Sequence, residues 1–278
     1  MSGQIKLLTH SSKSVWKSKS DSAKQLKEKI MFDVKGKWAL ITGANRGVGY
    51  RIAIFMAKHG CNLILHSRSL EHTAKVLEEV KALGVEAYDV AAELSDVAQV
   101  QQMINEINSR GKPVDILFND AGVQVAYRVE YYKTPVEDYT KSFLINTIAP
   151  MMLCYEYIPK MIERGYGRVI NTTSGIRNEP EQAGYSASKA ALDKVTLDLA
   201  GKVDGTDVII SLTDPGWCRT DLGGPNAPND PDSVIPGICV GAFVDDKKSG
   251  RNLGAQNFCG MTLEDAVKKA AEFPQLFK

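Results

Sequence analysis

The sequence has no run of about 18 apolar residues, the length that a membrane-crossing helix needs. Its first thirty residues hold no apolar stretch of the kind a secretory leader carries, so no such signal is expected. Cysteine is sparse. Cys61, Cys154, Cys218, Cys239 and Cys259 lie far apart, their number is odd, and no Cys-x-x-Cys pair occurs. That spacing argues against structural zinc and against a disulfide framework, and it fits a cytoplasmic protein whose thiols are small buried apolar groups. The four histidines, His10, His59, His66 and His72, form no metal-ligand pattern with acidic residues, so no metal is expected. Charge of one sign is missing too. Lys and Arg total 34 against 33 Asp and Glu, and a net charge of +1 does not point to nucleic acid as a partner.

What is present is apolar material for a core: 44% of 278 residues. The chain divides into two regions. Residues 1–30 are rich in Ser and Lys and read as an N-terminal extension, partly helical or disordered; Asp21 would cap a short helix with Ala23, Leu26 and Ile30 on one face. Residues 31–278 read as one domain. From Lys37, short apolar runs alternate with longer amphipathic ones. Strands are expected at 38–42, 62–66, 85–90, 115–118, 168–173 and 207–212, with a possible seventh at 252–257. Helices are expected at 48–59, 70–83, 96–108 and 185–202, plus a long stretch over 135–163 broken near 146–150. Alternation of this kind, with strands apolar on both faces, predicts an α/β fold: a doubly wound parallel sheet of about seven strands sandwiched by helices. Ligands of such sheets bind beyond the carboxyl ends of the strands.

Three glycines stand at the first such end. Thr42-Gly43-Ala44-Asn45-Arg46-Gly47-Val48-Gly49 follows the first strand and opens a helix. Glycines there permit a tight turn and close approach of backbone to a pyrophosphate, while the helix start supplies free N–H groups. The second strand ends in His66-Ser67-Arg68 with no acidic residue to hold ribose hydroxyls. Ser67 and Arg68, with Arg46 in the glycine turn, suit a 2′-phosphate, so NADP(H) is expected over NAD(H). His66 is a candidate to touch the adenosine.

Tyr185 and Lys189 are four residues apart at the start of a helix, which puts both on one face. A tyrosine is a poor base at neutral pH, and a nearby ammonium favours its phenolate. Ser174 follows the fifth strand, where its hydroxyl could polarise a substrate oxygen; Thr172 and Thr173 are competitors for that role.

Together, Thr42 to Gly49, Asn119-Asp120-Ala121-Gly122, Asn146, Ser174 and Tyr185-Ser186-Ala187-Ser188-Lys189 resemble the short-chain dehydrogenase/reductase family over roughly residue 34 to the C-terminus. The run Gly223-Gly224-Pro225-Asn226-Ala227-Pro228 resembles its carbonyl-reductase-like branch of the sniffer and C-factor type. The resemblance implies a Ser174–Tyr185–Lys189–Asn146 tetrad, with Asn146 holding a water and Lys189 also bonding the nicotinamide ribose. It implies that Asn119 braces the fourth strand, that Ala121 and Gly122 pass beside the adenosine half, and that Glu93 and Leu94 meet the adenine. Pro215, Gly216 and Thr220 resemble the segment that holds the carboxamide. Three positions depart from the family's usual residues: Asp120 for a second Asn, Glu93 for Asp, and Asp214 for Asn or His. The activity implied is hydride transfer between NADP(H) and a small-molecule carbonyl or alcohol, with Tyr185 exchanging the proton. A cofactor-binding regulatory or scaffold protein on the same fold is the alternative. A homodimer or homotetramer is implied by analogy. Residues 220–231, rich in Gly, Pro and Asn, read as a substrate lid, and Tyr127, Tyr131, Tyr132 and Trp217 as either pocket lining or ordinary packing.

Overall fold

The computed structural model describes residues 31–277, and the extension expected over 1–30 lies outside the described residues. Seven strands form one sheet in the order β3-β2-β1-β4-β5-β6-β7. They are β1 Trp38–Thr42, β2 Asn62–Ser67, β3 Ala87–Ala91, β4 Ile116–Asn119, β5 Gly167–Thr172, β6 Val208–Thr213 and β7 Arg251–Asn252. Every pairing is parallel. The helices between them are α1 Gly47–Lys58, α2 Leu70–Ala82, α3 Val97–Ser109, α4 Val136–Phe143, α5 Ala149–Arg164, α6 Ala183–Val203, the short α7 Val240–Phe243 and α8 Leu263–Ala270.

Parallel strands need crossovers, and these put helices on both faces of the sheet. Two apolar layers result. One buries Ile41, Leu63, Ile52, Met56 and Phe243 beneath α1, α2, α7 and α8; the other buries Leu40, Ile64, Ile104, Leu153 and Ile210 beneath α3, α5 and α6. The chain reverses direction across the sheet between β1 and β4, so the carboxyl ends of these two strands flank a crevice.

Two expectations change in detail. The seventh strand is only Arg251–Asn252, paired with Ser211 and Leu212, and Ala255–Phe258 is a 3₁₀ turn instead. The Leu253 and Ala255 N–H groups still donate to the Leu212 and Asp214 carbonyls, but from Ala255 the chain turns and buries Phe258 in the core, which ends the strand. The long helical stretch is one path with a wide turn, Leu144–Ile148, of π geometry between α4 and α5. Asn146 sits in that turn, and such widenings recur at functional sites.

Candidate functional site

The β1–α1 turn is shaped by what its glycines lack. Gly43 has φ +72°, a region costly for other residues. A Cβ on Gly49 would stand 2.3 Å from the Gly43 carbonyl oxygen. Beneath the turn, the Thr42 hydroxyl accepts the N–H groups of Asp120 and Ala121, both at 3.0 Å, which locks the end of β4 to the end of β1. His66, 2% exposed, spans the other side. Its Nδ1 accepts the Gly43 N–H at 3.3 Å, and its Nε2 is 3.1 Å from the Ala92 carbonyl, to which it donates as a neutral ring. Burial pushes its pKa down to about 4.

These ends enclose a cleft of about 360 Å³. Gly43, Asn45, Arg46, Gly47, Val48, Ser67, Arg68, Glu93, Leu94 and Thr220 line one end; Asp120, Ala121, Gly122, Thr172, Tyr185, Lys189 and Pro215 line the other. Helix α1 starts on it, with first-turn N–H groups that have no partner within the helix. The outer end is solvated. Arg46 is ion-paired with Asp221 at 2.6 Å, both side chains more than 60% exposed. Arg68 is exposed. Ser67 donates to the Ser69 carbonyl at 2.5 Å. Glu93 accepts the Ser95 N–H and hydroxyl, at 3.1 and 3.0 Å.

The inner end is closed. Tyr185 and Lys189 share one face of α6, at 9% and 4% exposure. Lys189 Nζ donates to the Thr172 carbonyl at 2.6 Å, and burial lowers its pKa to about 8 against the pull of Asp120, Asp193 and Asp214. Burial holds the Tyr185 phenol above its ordinary pKa; a hydrogen bond with Ser174 counters this and the Asp214 charge adds to it. So the phenol keeps its proton at neutral pH here, with the ammonium turned to Thr172. Asn146 is fully buried; its amide accepts the Val123 N–H and donates to the Val123 carbonyl, both at 2.9 Å, and to Ser188 at 3.0 Å. Asn119 donates to Asn171 at 2.8 Å across β4 and β5.

The structure gives partners to residues that the sequence offered only as departures. Asp214 accepts the Gly175 N–H at 2.7 Å and the Gly216 N–H at 2.8 Å, tying the Ser174 loop to the Pro215-Gly216 turn. Asp120 accepts the Thr172 hydroxyl at 3.0 Å, and burial raises its pKa to about 6. His72, Val123, Lys141 and Ile145 also line the cleft, without a local sequence signal, as does Leu222 from the loop read as a substrate lid. Tyr127, Tyr132 and Trp217 are not among its lining and are 59%, 91% and 60% exposed. Cys218 is a buried thiol 3.3 Å from the Pro215 carbonyl. Among the described residues, no group of three or more His, Cys, Asp or Glu could hold a metal, and no helix is long and apolar enough to cross a membrane.

A glycine turn at the first strand end and a Tyr/Lys pair on one face of the sixth helix, in a single cleft, are matched by a known family. The family model described as short chain dehydrogenase covers residues 37–230. The chain belongs to that family. The ketoacyl reductase HetN of Nostoc sp. is 32% identical over 189 residues, 67% of this chain and 65% of the relative. A metagenomic short-chain oxidoreductase solved in complex with NADP is 28% identical, covers 73% of this chain and 88% of its own, and superposes with TM-score 0.63. The oxidoreductase yciK of E. coli, at 21% identity and TM-score 0.73, covers 81% of this chain and 97% of its own and shares the fold. Against HetN and several other curated relatives, the chain spans less than two thirds of the relative's length.

Proposed function

We propose that this protein is an NADP(H)-dependent oxidoreductase that moves hydride between the nicotinamide and a small carbonyl or alcohol substrate, in one domain spanning residues 31–278. The observation that carries the reading is the placement of Tyr185 and Lys189 in the same cleft as the glycine turn. The residues suit the cofactor: α1 offers its N–H groups to a pyrophosphate, and the second strand ends in Ser67 and Arg68 rather than an acid. The NADP-bound metagenomic relative supports the same choice.

A bound nicotinamide supplies or accepts the hydride. The chain's own residues handle the proton and the geometry. Ser174 and Tyr185 engage each other, so both can hydrogen-bond one substrate oxygen. Tyr185 holds a proton at neutral pH, and the neutral phenol is the form that reduction of a carbonyl consumes. Lys189, one helical turn from Tyr185 and lining the same cleft, would supply the positive charge that favours the phenolate left behind. Asp214 fixes the loop that carries Ser174.

The test is turnover of a panel of ketones, aldehydes and alcohols with NADP(H) and NAD(H), beside Tyr185→Phe. Reduction with NADPH, better kcat/KM with NADPH than NADH, and a Tyr185→Phe variant that binds NADPH yet turns over 10²–10⁴-fold more slowly are expected. Equal turnover by Tyr185→Phe would sink the assignment of Tyr185, and equal use of NADH would sink the cofactor preference.

A further inference from the structure

Lys189 is surrounded by three acids that differ in how they are engaged. Asp214 is spent on two backbone N–H groups. Asp193 is taken by the Thr173 hydroxyl. Asp120 lines the cleft itself, beyond the end of β4, and its Oδ1 accepts the Thr172 hydroxyl at 3.0 Å. The Thr172 carbonyl accepts Lys189 Nζ at 2.6 Å. One residue at the end of β5 thus connects an acid from one strand end to an ammonium from α6. The backbone after Asp120 runs along the same ammonium: a Cβ on Gly122 would lie 3.6 Å from Lys189 Nζ.

What faces Asp120 is limited. Lys189 comes from α6 and Thr172 from β5. From the turn before α7 comes the Cys239 thiol, which burial, and then the Asp120 charge, push far above its ordinary pKa. From α1 comes Gly49, where a Cβ would stand 3.1 Å from Asp120 Oδ2. Lys189 is therefore the one cation acting on this carboxylate among the described residues, and Asp120 is the strongest of the acids acting on Lys189.

We propose that Asp120 is the counter-ion of Lys189, a positioning residue that keeps the ammonium charged and, through Thr172, directed along the cleft. The catalytic part of this rests on the oxidoreductase reading above; the coupling of the two charges across Thr172 does not. An asparagine at this position would keep the Thr172 hydrogen bond but not the charge. Without the charge, the buried ammonium would give up its proton at lower pH. Asp120 thereby sets the upper pH limit of the site.

Trace acetylation of Lys189 by acetic anhydride across pH, read by mass spectrometry on the full chain without cofactor, measures the ammonium directly. The wild-type midpoint is expected near 8, and Asp120→Asn should lower it by about one unit, the smaller end of what an adjacent opposite charge supplies. The basic limb of kcat/KM with NADPH should move by the same amount, about tenfold lower activity above that limb. Thr172→Val keeps the charge and should shift the midpoint less. An unchanged Lys189 midpoint in folded Asp120→Asn overturns the proposal, as does an equal shift in Thr172→Val. A shifted midpoint with an unmoved basic limb overturns its catalytic half. A shifted midpoint in a protein that turns over no carbonyl substrate upholds the charge coupling and counts against the oxidoreductase reading.

Discussion

The two ends of the cleft are built on opposite physical terms. At the outer end, proposed above for the adenosine half, Arg46, Arg68 and Asp221 stand in water, and charges there act through a high dielectric. At the inner end, proposed for the nicotinamide, Tyr185, Lys189, Thr172 and Asn146 are each below a tenth exposed and hydrogen-bonded to one another's neighbours. Exposed charges can be exchanged at small cost and so suit selection between related cofactors. Buried groups are interdependent, so each substitution disturbs several. Losses should therefore grow steeply from one end of the cleft to the other.

The largest expected effect tests the inner end. Lys189→Met removes the ammonium while keeping much of its bulk, and it leaves Asp120 and the Thr172 carbonyl without their partner. Activity with NADPH should fall by about 10²–10⁴, the range for loss of acid–base assistance. Steady-state kinetics beside circular dichroism would show it. A loss under tenfold in a folded variant would make the inner end no more sensitive than the outer.

His66 sharpens the comparison, because it is a buried group beside the glycine turn at the outer end. Its neutral ring suits both partners, accepting from Gly43 and donating to Ala92; protonation would remove the acceptor. A histidine lowered from 6.5 to about 4 stabilises the fold fully above its unfolded value. Below that value the unfolded chain takes up a proton that the native ring refuses, so this contribution falls as pH drops from about 6.5 to about 4. The whole change is worth about 3 kcal/mol. Urea midpoints at pH 7 and 4.5 should differ more for the wild type than for His66→Gln. Equal differences would show that the ring titrates freely.

Much of this layout was legible in the chain. The β1 run, the glycine turn and α1 are local: five buried residues, glycines where φ or contact requires them, then an amphipathic helix. Tyr185 and Lys189 were legible for the same reason, since helical spacing alone places them together. The partners of Asp120 and Asp214 were not. Thr172 is 52 residues from Asp120, and Gly175 is 39 from Asp214. Only parallel register brings those strand ends side by side, and no local pattern records which rotamers meet there. The seventh strand misled because Asn252 to Asn257 has strand-like composition, while the burial of Phe258 against distant core residues turns the chain at Ala255, and that contact leaves no local pattern. The Asn146 turn lies between, because the break near 146–150 was visible but its π geometry was not.

Arg68 should show an intermediate effect. It is exposed and free of any ion pair among the described residues, and a charge-assisted bond to a 2′-phosphate is worth about 1.5–3 kcal/mol. Arg68→Ala should raise the KM for NADPH about 10–100-fold and leave that for NADH nearly unchanged. A parallel rise for both cofactors would show that Arg68 supports the loop rather than reading the phosphate.

The smallest effect belongs to Asp221, and its sign is the informative part. Arg46 is the second cation expected at a 2′-phosphate, yet its guanidinium is engaged by Asp221 from the loop after β6. A phosphate must compete with that carboxylate. An exposed pair of this kind is worth about 0.2–1 kcal/mol, so its loss converts to a factor of about 1.4 to 5. Asp221→Asn should therefore tighten NADPH binding by about that factor, with NADH unaffected. Fluorescence titration of both reduced cofactors at low salt would measure it, and the difference should shrink as added salt screens the pair. Weaker NADPH binding in Asp221→Asn would mean that the carboxylate orients Arg46 toward the phosphate instead of competing for it. The outer end would then be as interdependent as the inner one.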